Sequence, residues 1–202
     1  SVLKNPRFVR LWFSYAFSGA GTITLLMAQA LLALELTDSA FWVGAIAGVY
    51  GLGTLTFSLI SGMMADRIDR RVLVGVSAVL DLIVAVVIAL LVFFSSEMLW
   101  HLLLGSFVSG VSISLRSPAT NALTLDLVGR SQLIKATAAN FAAVQFVNII
   151  APISVGLIIS RYDFSWAYVM AGVTARMALM KLTVVMTVVV MIGNSNVIMV
   201  TA

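Results

Sequence analysis

Residues 62–71 read Gly-Met-Met-Ala-Asp-Arg-Ile-Asp-Arg-Arg, placing the charges of Asp66, Arg67, Asp69, Arg70 and Arg71 between two long apolar runs. A run of about 20 apolar helical residues spans a hydrocarbon core roughly 30 Å thick. Charge is costly inside that core, so such a turn must lie at a water interface. The chain around it is 61% hydrophobic and only 10% charged, with a mean hydropathy of +1.11. Water-soluble domains carry about 25% charged residues, so this polypeptide cannot cover a soluble surface. It reads as an all-α transmembrane protein. A transmembrane barrel is disfavoured because the apolar runs are continuous and do not alternate with polar positions.

The net charge of +4 does not point to nucleic acid, because its placement follows the membrane. Lys4, Arg7 and Arg10 precede the first apolar run, and Arg67, Arg70 and Arg71 follow the second. Arg116, Arg130 and Lys135 bracket the connection between the fourth and fifth runs. The intervening loops carry Glu35, Asp38, Glu97 and Asp163, with Arg161 as their base. Basic connections on alternate sides set orientation, which predicts a multi-pass protein of the cell (inner) membrane with a cytoplasmic amino terminus.

Six spans are expected, at 8–34, 41–65, 72–94, 98–114, 133–160 and 164–192. A longer loop over 115–132, interrupted by Pro118, suits a short helix lying in the interface. Gly44 and Gly48, and Ser106, Gly110 and Ser114, recur at four-residue spacing, where small residues let helix backbones approach closely. From Val169 onward the sequence holds six of the ten Met and none of the Phe, Tyr or Trp. Residues 1–172 therefore read as one six-helix unit through the start of its last helix. Residues 173–202 read as an atypical remainder and tail, with Arg176 and Lys181 either functional cations or marks of a diverged end. The opening Ser1, in place of Met, suggests a trimmed or incomplete sequence.

Asp81 is the sharpest single candidate. It lies about ten residues past Arg71, hence ~15 Å into the third span at ~1.5 Å per residue. A carboxylate at that depth must carry a proton or pair with a cation. It is therefore either a proton-coupling group or a neutral structural Asp hydrogen-bonded to a neighbouring helix. Gln29, Asn140, Gln145 and Asn148 could line a substrate cavity or make interhelical hydrogen bonds worth about 0.6 kcal/mol each. His101 stands alone near the outer interface, and no ligand cluster supports a metal site. With no Cys in the chain, thiolate chemistry is excluded. A serine protease reading fails because Gly110-Val111-Ser112 has neither the following glycine nor a placed His partner.

Gly62-Met63-Met64-Ala65-Asp66-Arg67-Ile68-Asp69-Arg70-Arg71 resembles the loop between helices 2 and 3 of the major facilitator superfamily, roughly G-x-L-A-D-R-x-G-R-R. Met64 stands for the usual Leu and Asp69 for the usual Gly. Asn5-Pro6-Arg7-Phe8 with Leu11-Trp12, and Ser117-Pro118-Ala119 with Asp126-Leu127-Val128 and Leu133, resemble the branch holding macrolide-efflux proteins and the enterobactin exporter. Ala151-Pro152-Ile153-Ser154-Val155-Gly156 is similar to a degraded antiporter motif of helix 5, leaving Pro152 and Gly156. In that branch an Arg often follows the helix-3 Asp by three residues; here the position is Val84.

The resemblance covers residues 5–172 and implies a six-helix bundle, one half of a major facilitator fold built as two inverted three-helix repeats. It implies secondary active transport, proton-coupled export of a small amphipathic, drug- or siderophore-like compound. Gly62, Asp66, Arg67, Arg70 and Arg71 would form a gating latch, against the plainer reading of a positive anchor. Asp81 would carry the proton, Gln29, Asn140 and Asn148 would face the substrate, and no cofactor beyond an ion gradient is implied. The partner would be a second six-helix half, supplied as a carboxy-terminal portion or by a homodimer. The alternative is a non-transporting membrane subunit or a decayed half-transporter.

Overall fold

The computed structural model describes residues 6–96, 98–161 and residue 173. They form five long helices: α1 (Pro6–Thr37), α2 (Ala40–Arg67), α3 (Arg70–Phe93), α4 (Leu99–Val128) and α5 (Leu133–Arg161). A single 3-10 turn, Arg130–Gln132, leads into α5. All five contain segments long and apolar enough to cross a membrane. The expected sixth span at 164–192, the boundary at 172 with the tail behind it, Arg176 and Lys181 lie outside the described residues.

Short connections make successive helices antiparallel. Asp38 and Ser39 join α1 to α2, and Asp38 takes the left-handed backbone conformation (φ 49°) that Asp tolerates better than most residues. Gly129 turns α4 into α5 at φ 71°, where a Cβ would be strained. Between α2 and α3 the Asp69 carbonyl accepts the N–H groups of Val72 (2.9 Å) and Leu73 (3.3 Å). Asp69 is not among the left-handed residues, so this turn closes without the glycine that the family pattern carries there.

The fourth helix departs from expectation. In place of a span ending at 114 and an interfacial helix, α4 continues unbroken through Pro118 to Val128. Membrane helices tolerate proline because neighbouring groups satisfy the freed backbone. The second half of α4 has its own packing stripes: Leu115, Ala119 and Leu123 are buried, as are Arg116, Thr120 and Thr124, each set at four-residue spacing on one face. Arg116 is thus an intrahelical residue and not a loop anchor.

α4 is the centre of the bundle. Its contact with α2 depends on two glycines: a Cβ at Gly53 would strike the Phe107 carbonyl, and one at Gly110 the Tyr50 carbonyl. The Thr54 hydroxyl donates across this contact to the Gly110 carbonyl (3.2 Å). Gly44 and Gly48, expected at a helix contact, meet nothing within 4 Å among the described residues. An apolar layer of Leu25, Leu32, Ile46, Ile88 and Leu102 fills the middle of the bundle toward the His101 end. Trp12 Nε1 donates to the Ala139 carbonyl (2.9 Å) and fastens α1 to α5. Beside this bond the two helices leave an apolar groove of about 510 Å³ lined by Phe13, Phe17, Phe146 and small residues.

Candidate functional site

Ionisable groups are expelled from an apolar bundle unless they find partners, which makes the interior of the α1–α3–α4 junction informative. Asp81 on α3 and Arg116 on α4 are each 2% exposed, and Arg116 Nη1 lies 3.3 Å from Asp81 Oδ2. The same nitrogen donates to the hydroxyls of Ser18 and of Thr22 (3.2 Å), both on α1. Thr22 in turn donates to Asp81 Oδ2 at 2.9 Å. Ser112 lies beside the carboxyl and its hydroxyl donates to the Ser77 carbonyl (2.9 Å). Three helices therefore converge on one carboxylate oxygen.

The cluster is incompletely satisfied. Asp81 Oδ1 and Arg116 Nε have no hydrogen-bond partner among the described residues. A buried polar atom left unmade costs about 1–3 kcal/mol, and a buried ion pair contributes little net stability once desolvation is counted. Such an arrangement holds a charge ready to be neutralised or re-paired, which a purely apolar contact cannot do.

A second charged contact ties the basic end of the bundle. Arg70 Nη1 at the start of α3 meets Asp126 Oδ2 near the end of α4 at 2.5 Å, with both side chains substantially exposed. Of the latch residues, Gly62 and Arg67 are exposed on the last turns of α2. Asp66 lies in the last turn of α2 and Arg71 in the first turn of α3.

Other expected site residues are dispersed. Gln29 is wholly buried, and neither amide atom has a partner among the described residues. Asn140 is buried against α4, donating to Thr124 Oγ1 at 3.2 Å. Asn148 is exposed and bonds Gln145 one turn before it (3.1 Å). Pro152 lies within α5, where the glycines of the helix-5 pattern are replaced by buried Ala151 and Val155. A Cβ at Gly156 would meet nothing within 4 Å. His101 accepts the Met98 N–H through Nδ1 (3.1 Å) and so caps the start of α4. No group of His, Cys, Asp and Glu able to hold a metal occurs among the described residues.

A charged pair buried where three membrane-length helices meet is characteristic of proteins that move solutes or ions, and the family comparison agrees. The profile of the Major Facilitator Superfamily matches residues 11–193. The chain belongs to the major facilitator superfamily. It is 27% identical over 164 residues to Macrolide efflux protein A of Streptococcus pyogenes and to the protein of that name from serotype M6 of the species. Each match covers 79% of this chain and 39% of the relative, so the chain spans well under half of those proteins. As a superfamily member it is a multi-pass membrane protein of a transporter family and not of an enzyme family.

Arg116 is the member of this buried cluster that sequence reasoning misplaced. The branch pattern directs attention to Val84, three residues past Asp81, whereas the cation arrives from another helix. A usable signal existed: Ser109, Ser112, Arg116 and Thr120 recur at three- and four-residue spacing, the periodicity of one helix face.

Proposed function

We propose that this chain is the amino-terminal bundle of a secondary active transporter that couples proton movement to export of a small amphipathic compound from the cytoplasm. The observation that carries this reading is the buried Asp81–Arg116 pair, with one carboxylate oxygen unpartnered among the described residues. Adding a proton to Asp81 removes its attraction for Arg116. The guanidinium then depends on Ser18 and Thr22 of α1, so protonation changes how α1, α3 and α4 hold together. A ligand or proton that alters such a contact shifts the balance between two conformations. Orientation follows the basic end of the bundle, which carries Arg67, Arg70, Arg130 and Lys135 and faces the cytoplasm of a cell membrane.

One bundle supplies one wall of a transport cavity, so the working unit includes a second bundle against which this one rocks. The Gly62–Arg71 segment, held by Arg70 to Asp126, acts as the inner latch. Macrolide efflux by the relatives makes a macrolide the first compound to try. The test is Asp81→Asn in the full transporter, reconstituted in liposomes under an imposed proton gradient. Gradient-driven efflux should vanish while macrolide binding persists. Efflux at the unsubstituted rate would refute the coupling role.

A further inference from the structure

We propose that protons reach Asp81 from the His101 end of the bundle along the seam of α1, α3 and α4, with Gln29 and Ser109 as hydrogen-bonding stations. Gly105 is the narrow point of this route. The inference rests on the reading of Asp81 as a proton carrier and adds the path by which it is served.

The buried polar groups are aligned. Ser18, Thr22 and Gln29 are buried on α1 at spacings of four and seven residues, which place them on one helix face. Gly105, Ser109, Ser112 and Arg116 are buried on α4 at spacings of four, three and four, again one face. Gln29 stands about 10 Å along α1 from Thr22, and Ser109 about 5 Å along α4 from Ser112. The unpartnered buried atoms among the described residues include both amide atoms of Gln29, Ser109 Oγ and Asp81 Oδ1. Random packing faults would scatter; these fall in one file ending at the carboxylate. Groups of this kind bind internal water, each molecule taking about three hydrogen bonds.

At the far end of the file the apolar layer closes the seam, and Gly105 is its thin spot. A Cβ at Gly105 would lie 2.9 Å from Gln29 Nε2, 2.8 Å from Ile88 Cδ1 and 3.2 Å from Val84 Cγ1. Gly105 also lines a groove of about 210 Å³ between α3 and α4, which His101 lines as well. Only the missing side chain of Gly105 lets the buried amide abut the backbone that floors this groove.

The step is a relay. A hydronium ion at the His101 end gives up one proton, and each bridging water passes on one for the one it receives. An O–H bond breaks in the last water as one forms at Asp81 Oδ1, leaving a neutral carboxylic acid. Gln29 and Ser109 hold the waters in line and end unchanged. Among the described residues, the charged and titratable groups around Asp81 are Arg116 of α4 and Tyr50 of α2, with hydroxyls from α1.

Infrared spectroscopy of the chain in lipid bilayers tests the route. The Asp81 carboxyl band is assigned by its loss in Asp81→Asn, and its isotopic shift is timed after a switch from H2O to D2O. Gly105→Val should slow the shift about tenfold and Ser109→Ala about threefold, as added barriers of that size imply. Gly48→Ala, in open space, should not change it. If Gly105→Val does not insert, the near-isosteric Ser109→Ala decides. Unchanged exchange in Ser109→Ala and Gly105→Val overturns the route while leaving Asp81 as carrier. A protonated Asp81 band missing at every pH overturns the carrier reading and the route with it.

Discussion

Arg116, seventeen residues into α4, reaches Asp81 on α3 at 3.3 Å, and both side chains are 2% exposed. The pair joins helices that are antiparallel neighbours in sequence, yet it also engages α1 through Ser18 and Thr22. Its strength is conditional on both partners. Breaking a buried pair by removing one charge costs about 3–5 kcal/mol, whereas replacing both with neutral groups can be close to neutral.

Arg116→Ala should therefore destabilise the folded bundle by about 3–5 kcal/mol, because Asp81 would be left buried without its cation. The Arg116→Met, Asp81→Leu double substitution should restore most of that loss, since coupled neighbours are non-additive. Denaturant unfolding in detergent micelles measures both. A double variant no more stable than Arg116→Ala would show that the pair does not act as a unit.

The α2–α4 contact gives a second expectation. Gly53→Ala and Gly110→Ala each drive a methyl group against a main-chain carbonyl, which cannot rotate away. Overpacking of this kind costs about 1–3 kcal/mol. Gly48→Ala, with open space before it, should be neutral. Thermal unfolding of the three variants separates them, and equal effects would remove the close-approach argument.

How much of this was written in the sequence differs by level. The apolar runs and the 62–71 turn led to six expected spans; the five that fall in the described residues are helices in antiparallel order, because bilayer thickness leaves few alternatives. The extent of α4 was not legible, since Pro118 is a stop signal in water but a tolerated residue in a membrane helix. That single error moved Arg116 into a loop and left Asp81 without a partner. Asp81 itself was found from depth alone. Gly44 and Gly48 have spacing that suits helix contact but meet no neighbour among the described residues, because spacing does not say which face meets a neighbour. Gly110, picked out by the same spacing, does meet α2, and Gly53 opposite it was not picked out at all.

Arg70 and Asp126 supply a third prediction. Their side chains are 38% and 56% exposed, so the pair should contribute only about 0–1 kcal/mol and weaken with salt. Arg70→Ala should leave membrane insertion and stability nearly unchanged, yet disturb efflux in the full transporter. The exchange Arg70→Asp with Asp126→Arg should recover activity if the contact acts as a latch. Efflux assays normalised to membrane abundance decide the point, and unaltered efflux in Arg70→Ala would dismiss the latch.

The last prediction concerns the junction of α1 with α5. Trp12 Nε1 donates to a main-chain carbonyl that α5 already uses within its own helix, so the bond adds a cross-link without breaking the backbone ladder. Phenylalanine keeps the aromatic bulk but cannot donate. Trp12→Phe should lose the worth of one hydrogen bond, about 0.5–1.5 kcal/mol, with α1 otherwise in place. Trp12→Ala removes the ring as well and opens the groove beside Phe13 and Phe146, so its cost should rise to about 3–5 kcal/mol. Hydrogen exchange across the first turns of α5 reads the difference. Faster exchange confined to the α1–α5 contact supports the cross-link, and identical exchange in Trp12→Phe would show that packing alone fastens these helices.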